Sequence, residues 1–168
     1  MYFLGIDPGP VNSAYTLIRN VGIDSIEIVD KGIVPHAEML HLLDDFTEDL
    51  VQQELTVSIE GMQSFGMAVG ASVFETCYNI GEYRLHCKRA DVSWRIVFRM
   101  TIKLHHCKTT KAKDGNIRQA LIDRFGEPGV KASQGILYQV SKDMWSSTAI
   151  AVHAFDLHYE TERHLRKS

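Results

Sequence analysis

Three carboxylates stand at positions where a carboxylate is costly. Tyr2, Phe3, Leu4 and Ile6 form an apolar run that ends on Asp7, followed by the turn Pro8-Gly9-Pro10 and a second apolar run, Tyr15-Thr16-Leu17-Ile18. This is a strand–turn–strand pattern. Leu55-Thr56-Val57-Ser58-Ile59 is β-branched and alternating, and ends on Glu60 before Gly61. Asp143 opens an apolar segment rich in small residues, Met144 to Phe155. An acid at the end of a buried element requires a counter-charge, because an unpaired carboxylate is expensive to desolvate. Three such acids from distant segments predict one site assembled by the fold. Oxygen donors of this kind suit hard cations such as Mg²⁺ or Mn²⁺, and two such ions acting on a phosphodiester give in-line hydrolysis. Each acid alone has a plainer role. Asp is common in turns, and Asp143 falls in the first turn of a helix, where the dipole favours an anion.

Composition narrows the classes. At 168 residues and 45% hydrophobic, the chain is long enough for one domain with a proper core. It has no apolar run of bilayer length and no basic leader, so no membrane association and a cytoplasmic location are expected. Cys77, Cys87 and Cys107 are odd in number and irregularly spaced, which reads as free thiols in a reducing compartment. His105-His106-Cys107 is a weak metal motif, because adjacent residues on one element point apart. Net charge is −3, yet the charge is segregated. Asp24 to Glu60 holds ten acids and the single base Lys31, whereas Lys88 to Arg118 holds nine of the eighteen Lys and Arg residues and only two acids, Asp91 and Asp114. A basic stripe of that kind binds phosphates even on an acidic chain; a solvated charged face is its plainer reading.

The elements that position these residues follow from periodicity. Strands are predicted near 2–7, 12–19, 25–34, 55–60 and 92–98. Helices are predicted near 37–53, from Met39, Leu42, Leu43, Phe46 and Leu50, then near 68–87, 100–107, 114–125 with Asp114 as N-cap, and 142–163. Residues 126–141 read as a loop. No repeat, linker or low-complexity tract divides the chain, so residues 1–168 are expected to form a single α/β domain.

Taken together and in order, Gly5-Ile6-Asp7-Pro8-Gly9, Ser58-Ile59-Glu60 and Asp143-x-x-Ser146 with Ala149-Ile150-Ala151 resemble the RuvC family of Holliday-junction resolvases. The stretches Lys103-Leu104-His105, Lys111 to Ile122, Gly66-Met67-Ala68-Val69-Gly70, Val73-Phe74-Glu75-Thr76 and Trp145 are similar to those of the short members from bacteriophages and prophages. The resemblance covers nearly the whole chain. It implies a ribonuclease-H-like fold, a mixed central sheet flanked by helices. It also implies a homodimeric, metal-dependent endonuclease that resolves four-way and other branched DNA in the cytoplasm of a bacterial host.

The resemblance also implies site roles. Asp7, Glu60 and Asp143 would hold two Mg²⁺ or Mn²⁺ ions. Bacterial members carry a fourth acid where this chain has Ser146, so Ser146 is expected to face the same site and hold a metal-bound water. Lys111 or Lys113 would lie at the scissile phosphate, and Lys103, Lys108 and Arg118 would grip the backbone. Phe65, with Met62, Gln63 and Met67 beside it, would contact junction bases; packing in the core or at a subunit interface is the plainer role for these apolar residues. The breadth of apolar positions on helix 68–87 suits a second subunit. Two other classes remain open. Asp7-Pro8-Gly9 with Ser13 also matches the phosphate hairpin of actin-like kinases, although those need two such halves in a longer chain. The absence of the fourth acid leaves room for a non-catalytic branched-DNA-binding protein.

Overall fold

Alternation along β1 (Tyr2–Asp7) decides which residues meet which layer. Tyr2, Leu4 and Ile6 face one side, and Phe3, Gly5 and Asp7 the other, as a pleated strand requires. The computed structural model describes residues 1–22, 24–50, 53–64, 66 and 68–165, with side chains to Glu160. β1 is the centre of a five-stranded sheet of order β3-β2-β1-β4-β5. β2 (Asn12–Gly22) and β3 (Ser25–Pro35) form an antiparallel meander with it. β4 (Leu55–Gly61) and β5 (Ser93–Phe98) run parallel to it on the other side.

Two apolar cores sandwich the sheet. On one face Tyr2, Leu4, Ile6, Val57 and Ile59 pack against Met39 and Leu43 of α1 (His36–Leu50) and Ile80 and Tyr83 of α2 (Ala71–Arg89). On the other, Phe3, Ile18 and Val97 pack against Ile102 of α3 (Arg99–Cys107), Ile117 and Leu121 of α4 (Asp114–Phe125), and Ala149 to Phe155 of α5 (Met144–Leu165). Each fully buried large side chain in these layers contributes about 1.5–3 kcal/mol. Among the described residues no helix is long and apolar enough to cross a membrane.

The predicted elements appear in their predicted order, with local differences. α2 starts at Ala71, because Gly70 is extended and caps it. The N-cap of α4 is Lys113, not Asp114: the Asn116 side chain accepts the Lys113 backbone N–H at 2.8 Å, which fixes the helix start one residue earlier. Asp143 precedes α5 instead of lying in its first turn; its carbonyl accepts the N–H groups of Ser146 and Ser147 at 3.0 and 3.2 Å. The loop after α4 contains a small hairpin, β6 (Gly129–Val130) and β7 (Ser133–Gln134). Its first strand opens on Gly129 at φ +77°, where a Cβ would lie 2.2 Å from the Ser133 carbonyl.

The closest helix–sheet approach is over Gly5. A Cβ there would stand 2.2 Å from the Ser147 carbonyl and 2.5 Å from the Ala151 backbone nitrogen. Both obstacles are backbone, so no rotamer change relieves the clash. A polar seam holds the approach: the Thr16 hydroxyl hydrogen-bonds those of Ser147 at 2.8 Å and Thr148 at 3.1 Å. Gly5→Ala is therefore expected to destabilise the protein by about 3 kcal/mol, the upper end of ordinary overpacking. Urea unfolding measures this, and a loss below about 1 kcal/mol would contradict the packing described.

Candidate active site

β1 and β4 are paired in parallel with Gly5 opposite Ser58 and Ile6 opposite Ile59. The next residues along, Asp7 and Glu60, therefore leave neighbouring strands at the same edge and on the same face. That face is the one α5 covers. The approach over Gly5 brings the start of α5 beside them, so Asp143 and Ser146 reach the same edge. The result is a cleft of about 140 Å³ lined by Asp7, Arg99, Asp114, Ile117, Lys142, Asp143, Trp145 and Ser146.

Ser146 is 7% exposed and ties the acids together. Its hydroxyl donates to Glu60 Oε2 at 3.3 Å and lies close enough to Asp7 to favour that carboxylate. The positive charge comes from Arg99, the first residue of α3. Val97, two residues earlier on β5, faces the α5 layer, and Arg99 continues on that side. Its Nη1 donates to Glu60 Oε2 at 3.4 Å and to Ser146 Oγ, and its Nη2 donates to Asp114 Oδ1 at 2.5 Å. Glu60 is sheltered, with 14% of its side chain exposed, against 78% for Asp114.

The electrostatics match this enclosure. Burial raises the Asp7 carboxyl above its ordinary range, offset by the Ser146 hydrogen bond and by Arg99. Burial, then the charge of Asp7, pushes Glu60 up to about 7, against the pull of Arg99 and Ser146. Two neighbouring acids that burial makes harder to ionise mark a candidate functional site. The donors are all oxygen, which fits a hard divalent ion. As the side chains stand, no group of three or more His, Cys, Asp or Glu among the described residues is close enough to hold one. Glu60 and Asp7 are instead linked through Ser146, with Arg99 on Glu60.

The basic residues differ from the sequence expectation. Neither Lys111 nor Lys113 lines the cleft; both are exposed in the turn before α4, where Lys113 is used as the helix cap. The cleft's cations are Arg99 and Lys142. Lys142 holds a left-handed backbone (φ 48°) immediately before Asp143, a conformation uncommon for a side-chain-bearing residue. Lys103 is half-buried on α3, and Lys108 caps α3 with its Nζ donating to the His105 carbonyl at 2.9 Å. Arg118 stacks over Trp145 at 5.1 Å, beside the cleft. Met62 is 43% exposed and lines a separate, mainly apolar cavity of about 420 Å³ with Val69, Val73 and Phe74. Phe65 and Met67 lie outside the described residues. Arg99 escaped sequence reading, although it carries the same signal as the acids: a charge placed just past the end of a buried strand.

A larger cavity, about 380 Å³, lies towards the other end of α5, by Asp156. Asp156 is already satisfied: Arg124 donates to both its oxygens at 2.7 and 2.8 Å, and His105 contacts it at 2.6 Å. Burial would raise its pKa, but these partners hold it down to about 2. The buried Asp156 charge there is already paired, which sets this cavity apart from the cleft.

No protein-family model matches the chain, and no curated protein matches it. Solved structures do. RuvC of Thermus thermophilus superposes with a TM-score of 0.70 at 17% identity, over 96% of this chain and 98% of that one. The fold is ribonuclease-H-like. The same protein in complex with a Holliday junction substrate gives a TM-score of 0.65 at 16% identity, over 96% and 97%. The Fowlpox virus resolvase bound to Holliday junction DNA gives 0.54 at 14%, over 93% and 97%.

The raised pKa of Glu60 has a sign that can be checked. Between about pH 4.5 and 7 the folded, metal-free protein binds a proton at Glu60 that the unfolded chain does not. Stability from this group is therefore greatest below 4.5 and falls as pH rises through 7, by at most about 3 kcal/mol. Glu60→Gln is expected to melt above the parent at pH 8 in chelator, and to lose that advantage at pH 4.5. A variant less stable than the parent at pH 8 would mean that Arg99 fully compensates Glu60.

Proposed function

We propose that this protein is a divalent-metal-dependent endonuclease that resolves four-way DNA junctions, and that the whole chain works as one nuclease domain in a homodimer. The observation that carries the reading is that Asp7, Asp143 and Ser146 line one cleft at the sheet edge, with Glu60 hydrogen-bonded to Ser146, within a fold shared end to end with junction resolvases. Asp7, Glu60 and Asp143 are the residues that would hold Mg²⁺ or Mn²⁺. A cation held there would activate water and offset the charge that develops on the phosphate.

The chain's own groups do the rest. Glu60 and Asp7, crowded and desolvated, gain most from a cation. Ser146 replaces a carboxylate with a neutral hydroxyl; it orients Glu60 and Asp7 without adding to their repulsion. Lys142 and Arg99 face the cleft and oppose the charge of an incoming phosphate. Lys103, Lys108, Lys111, Lys113 and Arg118 extend that field outwards from the cleft for the DNA backbone, contacts that are salt-sensitive by nature. Trp145, backed by Arg118, offers a rigid aromatic edge at the cleft's mouth. Met62 places an apolar side chain on the exit from β4, suited to meeting unstacked bases at a branch point, the role the sequence also gives to Phe65.

The outward face of α2 supports the dimer. Phe74, Tyr78, Gly81 and Leu85 recur at spacings of four, three and four; the three side chains are 51, 64 and 43% exposed. A Cβ on Gly81 would meet nothing within 4 Å. A mid-helix glycine costs about 1 kcal/mol relative to alanine, and nothing within the subunit needs it there. A second helix crossing closely at this point does. Gly81→Arg is expected to convert a dimer into a monomer in sedimentation equilibrium without loss of helicity. A parent that sediments as a monomer at micromolar concentration removes the dimer from the proposal.

Nicking of a synthetic four-way junction tests the central claim. With Mg²⁺ or Mn²⁺ the parent should introduce paired nicks that leave 5′-phosphate ends. Asp7→Asn, Glu60→Gln and Asp143→Asn should each reduce the rate at least a hundredfold while retaining junction binding in a gel shift. Binding without any cleavage by the parent would leave a non-catalytic junction-binding protein as the better description.

A further inference from the structure

Among the described residues Arg99 is the one cation that touches the cleft acids directly, and it divides its two amino groups between two anions of opposite character. Nη1 is on Glu60 and Ser146, in the sheltered part of the cleft, and Nη2 is on Asp114, at its exposed rim. The inner contact to Glu60 is the looser at 3.4 Å, and the outer contact to Asp114 the tighter at 2.5 Å. Asp114 is the first residue of α4, so the outer anchor is fixed to a helix. Arg99 itself retains 28% side-chain exposure. A guanidinium held this way can leave the inner acid without losing its outer partner.

Resting on the metal-dependent reading above, we propose that Arg99 is the resident counter-ion of the cleft, holding Glu60 and Ser146 until a divalent cation takes Glu60, whereupon Arg99 turns wholly onto Asp114. Three features follow from one cause. The acids are crowded without repelling the fold apart, because Arg99 neutralises Glu60. They do not converge on a common point, because Glu60 is drawn to Arg99. The outer acid, Asp114, gives the displaced charge somewhere to go, at the rim where a phosphate enters. Arg99 is thus a positioning residue for Glu60. It competes with the ion it makes room for, and the apo cleft binds metal more weakly than its acids alone would.

The experiment is a titration with Mn²⁺ alone, without DNA, followed by the electron paramagnetic resonance signal of free ion. Asp7→Asn is included to identify the cleft site. Arg99→Gln removes the competing charge and should tighten Mn²⁺ binding about tenfold, while junction cleavage slows. Arg99→Lys keeps a cation and should stay within threefold of the parent. Melting in chelator confirms that each variant folds; if Arg99→Gln does not, Asp114→Asn carries the comparison and should weaken Mn²⁺ binding, because the displaced guanidinium loses its outer partner, and unchanged binding there would overturn the counter-ion role. Unchanged or weaker Mn²⁺ binding in folded Arg99→Gln would overturn the counter-ion role alone. A parent that shows no Mn²⁺ site sensitive to Asp7→Asn would overturn the metal-dependent reading, and the counter-ion role with it.

Discussion

The approach of α5 to β1 over Gly5 is the constraint on which the cleft depends. Asp7 is fixed by the sheet, but Asp143 and Ser146 belong to a helix whose position is set only by how deeply it sits. With a Cβ at Gly5 the helix would have to rise from the sheet, and the Thr16–Ser147 and Thr16–Thr148 hydrogen bonds would stretch with it. Small residues along α5, Ser147 and Ala151 above all, meet the glycine from the other side. The seam is polar for a reason: buried hydroxyls that pair have one correct register, whereas an apolar seam tolerates sliding.

Charge is organised in two regimes. At the surface, pairs such as Arg19–Glu27 at 2.5 Å, both about half exposed, contribute about 0–1 kcal/mol. In the cleft the balance differs: burial outweighs the pairing, and Glu60 keeps a raised pKa although Arg99 stands beside it. Arg99 therefore limits the cost of the sheltered charge without cancelling it.

Much of the fold was legible in the sequence because it rests on local periodicity. The strand that ends on Asp7, the strand that ends on Glu60 and the small-residue helix after Asp143 are readable from spacing alone, and so is the α1 stripe of Met39 and Leu43. The β6–β7 hairpin was not, since two-residue strands have no period to detect. The Lys113 cap was hidden because Asp114 is the commoner capping residue, and the Asn116 side chain that decides the matter acts through the backbone. In the cleft, the acids were readable because an acid ending an apolar run is anomalous. Arg99 was not, because it lies in the segment Lys88 to Arg118 that holds nine Lys and Arg residues; which of those cations turns inward depends on where β5 stops and α3 begins. The left-handed turn at Lys142 likewise leaves no trace in composition.

The order of the elements along the chain carries a consequence for synthesis. β1 and β4 supply Asp7 and Glu60 early, and their apolar partners on α1 and α2 follow soon after, so one face of the sheet can be covered while the ribosome is still at work. The opposite face waits longer: α3 and α4 cover part of it, and α5, which follows them, brings Asp143 and Ser146. A nascent chain therefore carries Asp7 and Glu60 before the helix that completes their cleft has been made.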